Sequence, residues 1–480
     1  MPKFFRKTIY LVLVFFILLT GLSPLTYTSY AETIPISPYV SAHGTNLYLN
    51  GTQYQFTGVN AFNLGTDPGI NAGCGGSIAD LDAFFSHLRP NSMIRMWAFQ
   101  GTIATNVKTK QIDWTGLDRV VAAAQKDNIK LILVLGDQAG ACDDGHWRDP
   151  AWYQSGYTQA INDYGNGLTP IPYLDYVKLI VTHYKSSTAV AMWEPINEPE
   201  AAGCQSGQGT ACYAHQTCNE PVATQAMRSF FDAVGGAIKS IDPNHLVASG
   251  VGGDGQCGAI YGDFQNIHAG SGIDVATYHD YDRNDQAMPG DPWNGLQERI
   301  TQMKNLNKPL IIEEAGMIAG NNMSGCMSNS SRRDDFKAKM DAQFKSGIAG
   351  YMVWDLTGGD VKDCNYSIGD NDPTLTLLHN YPTSMGLYVD TQAPTAPTNL
   401  TATVNATKNV VLNWTASSDN VGVVRYDIFR NNAYFSSTTD TSIIDTNASP
   451  SGTYTYFVKG KDAANNISHS STIVILTLPK

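Results

Sequence analysis

Eight short apolar runs recur between Tyr54 and Trp354, and most are followed by a polar loop and a stretch with apolar residues at i, i+3, i+4 spacing. The runs are Tyr54–Phe62, Met93–Phe99, Lys130–Leu135, Val190–Asn197, Leu246–Val251, Ile273–Tyr278, Pro309–Glu314 and Gly350–Trp354. Helical patterns lie at Ile78–Leu88, Leu117–Lys126, Tyr173–Tyr184, Thr224–Ile241, Trp293–Leu306 and Phe336–Phe344. Alternation of strand and helix demands a parallel sheet, because parallel neighbours need a crossover long enough for a helix. Eight such units imply an α/β fold of the closed (β/α)8 TIM-barrel type, with the open doubly wound sheet as the competing architecture. A barrel places its chemistry at the C-terminal ends of the strands, where the connecting loops gather.

At 480 residues the chain exceeds what one hydrophobic core supports, so a second domain is expected. Residues 390–398 fall in a Pro- and Thr-rich stretch that reads as a linker. Residues 399–480 show brief alternating segments, "VVLNWTA", "RYDIFRN", "YTYFVKGKD" and "STIVILTL", separated by turn residues, which describes a small all-β sandwich. With Trp414, Tyr426 and the Tyr454–Val458 run, this part resembles a fibronectin type III module. It holds no cysteine and no clustered acids, so no catalytic role is expected there.

Residues 1–31 have the pattern of a signal peptide: Lys3, Arg6 and Lys7, then the mostly apolar Ile9–Leu22, then Ser29-Tyr30-Ala31. The alternative, a membrane anchor, is disfavoured because that apolar stretch is shorter than the roughly 20 residues a bilayer crossing takes. Residues 32–389 would then be the catalytic domain of a secreted, extracellular protein. A net charge of −12 argues against nucleic acid or an anionic membrane as partner. Eight cysteines in an exported chain point to disulfides, with the pairing left open. A zinc site is the weaker reading, since "CDDGH" at Cys142–His146 matches no standard ligand spacing. Every cysteine falls in a loop after a strand, so the disulfides are expected to brace the face that carries the site.

The fourth run ends abruptly in acids, "AMWEPINEPE" at Ala191–Glu200, and the seventh ends in Glu313 and Glu314. In a barrel these ends face one another across the mouth. Two facing carboxylates are what glycoside cleavage uses, one protonating the departing oxygen and one attacking the anomeric carbon or activating water. A like-charged pair would raise the acid and leave its neighbour ionised. Strand alternation lets only one of Glu313 and Glu314 face the cavity.

"WEPINEP" and "PLIIEEAG", with "RMW" at Arg95–Trp97, "HDY" at His279–Tyr281 and "VWDL" at Val353–Leu356, together resemble the glycoside hydrolases of clan A, family 5 in particular. The resemblance covers about Tyr39 to Val389. It implies Glu198 as general acid/base and Glu314 as nucleophile of a retaining double displacement. It further implies Asn197 on the sugar 2-hydroxyl, Arg95 beside the nucleophile, Tyr281 hydrogen-bonded to it, His279 on substrate or acid/base, and Trp354 as a platform beneath the sugar ring. No cofactor or metal is implied. Each residue also has a structural alternative: a loop cap for either Glu, a core ion pair for Arg95, a satisfied buried histidine for His279, core packing for Trp354. Trp193 reads as core.

The chain departs from that pattern after the third run, where "LGDQAGACDDGHWRDPAWYQSGY" replaces a His or Asn-Trp. Its Trp147, Trp152, Tyr153 and Tyr157 are either a stacking wall for polysaccharide or the core of a folded loop. Gly250-Val-Gly252-Gly-Asp-Gly255 is formally a dinucleotide fingerprint, but no helix clearly opens there. The acid-rich "GGDVKDCNYSIGDNDP" reads as a solvated loop rather than a calcium site. The expected function is a monomeric, retaining hydrolase of β-1,4-linked plant polysaccharide, mannan ahead of glucan. The alternative is a non-catalytic carbohydrate-binding barrel.

Overall fold

The computed structural model describes residues 34, 36–160, 169–205, 209–282, 286–320, 326–361, 363–383, 393–419, 423–462 and 466–479. The expected signal segment, residues 1–31, lies outside the described residues, as does the first part of the expected linker.

Eight parallel strands form the central sheet: β1 (Phe56–Asn60), β2 (Met93–Trp97), β3 (Lys130–Val134), β4 (Val190–Glu194), β5 (Leu246–Val247), β6 (Ala276–Asp280), β7 (Leu310–Gly316) and β8 (Gly350–Trp354). They pair in the order β5-β4-β3-β2-β1-β8-β7-β6. A parallel bridge between Ala248 and Val275, with Ser249 N donating to Val275 O, joins the two ends of that order and closes a (β/α)8 barrel. The open-sheet alternative falls with that bridge. The strands are buried along nearly their whole length, as a sheet covered on both faces requires.

Eight helices pack around the sheet among the described residues, α1 (Leu81–Phe85), α2 (Thr115–Lys126), α3 (Tyr173–Tyr184), α4 (Glu220–Ile241), α5 (Gly262–His268), α6 (Leu296–Leu306), α7 (Asn329–Ser346) and α8 (Pro373–Asn380), and a further short one, Pro150–Gln154, lies in the loop after β3. Six match the predicted periodic stretches. α5 is too short to show a period. α8 lies past the last strand and announces itself instead by Asp372-Pro373, where the Asp372 carboxylate accepts from Thr374 N and proline occupies the first helical turn.

Two apolar layers hold the barrel. One lies between strands and helices, with Ile94, Leu131, Leu133, Val177, Phe230 and Phe336 among its buried members. The other fills the barrel interior at the strand starts, where Phe56, Met93, Ile132, Met192, Ile311 and Met352 pack with Val40, Leu47 and Leu49. Leu47 and Leu49 belong to a small antiparallel sheet built from Ser41–His43, Asn46–Leu49 and Thr52–Gln53, which caps that end. The opposite end is left for the loops.

Four disulfides tie those loops: Cys74–Cys142, Cys204–Cys212, Cys218–Cys257 and Cys326–Cys364. They join the loops after β1 and β3, β4 to itself, β4 to β5, and β7 to β8, so all of them lie on the face of the strand C-termini. Among the described residues, no helix is long and apolar enough to cross a membrane.

The C-terminal region is β-rich: β9 (Thr398–Val404), β10 (Val410–Thr415), β11 (Val423–Arg430), β12 (Ala433–Thr438), β13 (Ser442–Asp445), β14 (Thr453–Asp462) and β15 (Val474–Thr477). They pair antiparallel as β9-β10-β13 and β12-β11-β14-β15. Leu412 and Trp414 of the first sheet share one apolar cluster with Tyr426, Ile428, Tyr456 and Val458 of the second.

Candidate active site

Arg95 lies in β2 with no exposed surface and organises the barrel mouth. Its Nε and Nη2 form a two-pronged pair with Glu194 at 2.7 and 2.6 Å. Nη2 also donates to Asn197 Oδ1 at 2.6 Å, and Nη1 to Glu314 Oε1 at 2.5 Å and to Asn60 Oδ1 at 3.1 Å. All five guanidinium N–H donors are therefore used, as burial of this cation requires. Asn197 Nδ2 in turn donates to Asp137 Oδ2 at 3.0 Å. Burial raises the Asp137 carboxyl to about 6.

Glu314 closes β7 beside His279 of β6, its register partner. Its Oε2 accepts from the Tyr281 hydroxyl at 2.7 Å and lies 3.6 Å from His279 Nδ1. Burial, and then the charge of Glu314, push the Tyr281 hydroxyl well above its ordinary range, so it remains a donor. Glu198 stands on the opposite rim in a left-handed backbone conformation, φ 47, with its N–H on Gly250 O at 2.9 Å. That conformation costs a non-glycine residue about 1–2 kcal/mol and is held here by the flanking turn. Its Oε1 is 3.0 Å from His279 Nδ1. Facing oxygens of Glu198 and Glu314 and a ring nitrogen of His279 all lie within 4.8 Å of one another. That closeness follows from the Glu198–His279 hydrogen bond and the His279–Glu314 ion pair and gives no reason to assign them to a metal.

The sequence-predicted residues thus come together: Arg95, Asn197, Glu198, His279, Tyr281 and Glu314 form one bonded group. Trp354, at the end of β8, stacks on Phe62 at 5.6 Å between ring centres and 9° between planes, with Trp97 at 5.9 Å. A cis peptide joins Trp354 to Asp355. Glu198, Tyr213 and Tyr281 separate two lobes of a cleft. One, of about 440 Å³, is walled by Phe62, Trp97, Trp354 and Tyr366 and contains Glu314. The other, of about 280 Å³, is polar, with Glu200, Asp254, Gln256 and Asp282.

Two expectations are corrected, and one open alternative is resolved. Glu314 alone of the pair lines the cleft, but Glu313 does not turn to the opposite side of the sheet. The β7–β8 register shifts between Ile312 and Ala315, and this bulge turns both acids inward, so that Glu313 Oε1 lies 3.6 Å from Arg95 Nε and Oε2 3.5 Å from His279 Nε2. Glu198 is not raised by its acidic neighbour: burial pushes it up, but the hydrogen bond and charge of His279 hold it below the usual carboxylate range. Of the two readings of the third loop, the folded-loop core holds for Trp152, Tyr153 and Tyr157. Asp149 caps a short helix, Pro150–Gln154, which with the following turn Gly156–Thr158 buries Trp152, Tyr153 and Tyr157 around Phe230, and Trp147 turns its indole N–H to Ala202 O at 2.6 Å.

Sequence reasoning gave no role to Glu194, Asn60, Asp137 or Tyr213. Glu194 had a signal, as the acid that ends the apolar strand in "AMWE", whereas Asn60 and Asp137 become visible only through their partners. The glycines after β5 serve packing. A Cβ on Gly250 would lie 2.0 Å from Ile196 O, so the glycine lets this loop meet the Asn197-Glu198-Pro199 turn.

Residues 101–362 match the family described as GH family 5 beta-mannosidase-like. The chain belongs to this family of glycoside hydrolases. It is 27% identical over 375 residues to a probable mannan endo-1,4-beta-mannosidase F of Aspergillus flavus, covering 69% of this chain and 70% of that protein. The endo-1,4-beta-mannanase of Rhizomucor miehei shares its fold, with a TM-score of 0.52 at 20% identity over 72% of this chain and 99% of that one. A separate similarity, 47% over 85 residues, links 18% of this family 5 chain to 12% of chitinase A1 of Niallia circulans.

Proposed function

We propose that this glycoside hydrolase is an exported, retaining, endo-acting β-1,4-mannan hydrolase. The observation that carries the reading is the approach of Glu198 and Glu314 oxygens to within 4.8 Å across the barrel mouth. That spacing suits direct attack by one carboxylate, whereas inverting enzymes keep roughly 6.5–9.5 Å between carboxyl groups to admit a water. Glu314, hydrogen-bonded by Arg95 and Tyr281, is the nucleophile. Those donors hold its charge on one side of the anomeric carbon. Glu198, less buried and facing both lobes, is the acid/base. The substrate chain crosses the cleft with the reacting sugar over Trp354 and the departing part in the polar lobe. Asn197, held between Arg95 and Asp137, is placed to bond the sugar 2-hydroxyl.

Mannan as substrate is supported by the names of the relatives. Secretion is supported by the signal-like residues 1–31 and the four disulfides. Residues 32–389 form the catalytic domain, and residues 399–480 a fibronectin type III-like sandwich, a reading supported by its two antiparallel sheets around one core. The protein acts as a monomer. Glu314→Gln and Glu198→Gln, assayed for reducing sugar on mannan, are each expected to lose at least about 100-fold in kcat while melting as the wild type does. Proton NMR of fresh product is expected to show the β-anomer first. Unchanged turnover in either variant, or initial α-anomer, overturns the reading.

A further inference from the structure

Glu313 takes no part in the bond-breaking scheme above, yet it is fully buried directly beneath the groups that do. The β7 bulge aims its Oε2 at His279 Nε2, 3.5 Å away, while His279 Nδ1 on the other side of the ring faces Glu198 Oε1 at 3.0 Å. Its other oxygen lies 3.6 Å from Arg95 Nε, and the buried Glu194 carboxyl interacts with this side chain as well. The ionisable groups around this buried carboxylate are Arg95, His279 and Glu194, and of these His279 is the one that also touches Glu198. Resting on Glu198 as acid/base, we propose that Glu313 is a positioning residue for proton transfer: it holds His279 with Nε2–H directed into the barrel, so that Nδ1 shares its proton with Glu198.

The relay balances in both steps. As Glu314 forms its bond to the anomeric carbon and the glycosidic C–O bond breaks, the departing oxygen takes a proton from Glu198. That proton has come to Glu198 from Nδ1, so the step leaves Glu198 ionised and His279 neutral, with Nε2–H kept toward Glu313. When water displaces Glu314, the water proton passes to Glu198 and on to Nδ1, restoring the charged ring.

The groups that face His279 are Glu198 on the β4 loop, Glu313 and Glu314 on β7, and Asp254 on the β5 loop. Burial alone would strip the ring of its proton, but Glu314, Glu198 and Glu313 hold it well above the ordinary histidine range. Burial opposes the charge of Glu313, yet Arg95, His279 and a hydrogen bond with the Glu194 carboxyl hold it below the usual carboxylate range. This explains how an acid/base can sit below the usual carboxylate range in the free enzyme: the proton it delivers is stored on its neighbour.

The test uses the full chain with Glu313→Gln and Glu313→Asp, assayed on mannan and on a dinitrophenyl β-mannobioside, whose leaving group departs without protonation. Glu313→Gln removes a negative charge beside a cation, so the His279–Glu198 couple loses its proton at lower pH. The alkaline limb of kcat/KM is expected to move down by about one pH unit. Turnover of mannan at pH 7 is expected to fall roughly 10- to 100-fold, and that of the dinitrophenyl substrate less than about threefold. Glu313→Asp is expected to return the limb toward its wild-type position. An unmoved limb, or equal losses on both substrates, overturns the proposal. Should Glu313→Gln fail to fold, a nitrogen-15 titration of His279 in the wild-type protein decides: a ring neutral at pH 7 overturns it, and a doubly protonated one supports it. Glu198→Ala separates the two layers of the argument. Loss on mannan with the dinitrophenyl glycosylation step retained upholds Glu198 as the acid whatever Glu313 does, and retained mannan turnover removes that foundation.

Discussion

Gly250 offers a stringent check because its substitution changes no group of the bonded cluster. Its φ of 70 is left-handed, and a Cβ there would lie 2.0 Å from Ile196 O and 2.6 Å from Glu194 Oε1. Restoring ordinary contact at about 3.5 Å moves the Ile196 carbonyl by roughly 1.5 Å. Glu198, two residues on and hydrogen-bonded to Gly250 O at 2.9 Å, must move with it. A misplacement of about 1 Å at a reacting group costs on the order of 100-fold in rate. Left-handed strain of about 1–2 kcal/mol and overpacking of about 1–3 kcal/mol together lower stability by roughly 2–5 kcal/mol. Gly250→Ala should therefore fold, melt earlier than the wild type and lose about 100-fold in kcat on mannan. The control is Gly236→Ala in α4, where a Cβ meets nothing within 4 Å. There stability should rise by about 0.5–1 kcal/mol with full activity. Reducing-sugar kinetics and thermal melts read both variants. A Gly250→Ala enzyme within about threefold of wild-type kcat would refute the claim that this contact sets the Glu198 turn.

Trp354→Ala removes the face beneath the sugar ring and is expected to raise KM on mannan by about tenfold, the equivalent of ~1.4 kcal/mol, as read from Michaelis–Menten kinetics. Cys74→Ser/Cys142→Ser opens a crosslink spanning 68 residues, so loop-closure entropy predicts a loss of about 4 kcal/mol in denaturant unfolding, with no change expected if the loops are already held by packing alone. His268, buried and hydrogen-bonded through Nδ1–H to Phe264 O at 2.6 Å, is lowered to about 3 by burial. The unfolded chain binds its proton near 6.5, so stability is full above that pH and falls as pH drops toward 3, by up to about 1.4 kcal/mol per unit. Urea midpoints across that window should fall less steeply in His268→Phe, and an identical slope would show that other groups control acid unfolding.

The barrel was legible along the chain because each β-strand of a sheet covered on both faces must be a short apolar run, and each crossover helix must keep an apolar stripe. The ends of β4 and β7 were legible for a related reason, since charge at the end of a buried run is costly and stands out. α5 was not, because its seven residues are too few for a period to show, whereas β5, only two residues long, was found through the apolar run Leu246–Val251 that begins on it. The third-loop aromatics were ambiguous because stacking walls and loop cores use the same residues, and only the packing around Phe230 separates them.

From the order of residues alone came the alternation that makes a barrel, the loop placement of every cysteine, and the acids and aromatics available at the mouth. Folding in three dimensions supplied the disulfide partners, the five-donor role of Arg95, and the company of His279. Those depend on distances between residues far apart in the chain. The bulge in β7 is the clearest instance. Simple alternation would turn Glu313 away, but one shift of register brings it beneath His279, and local pattern carries no sign of that shift because it is set by how β7 pairs with its neighbours.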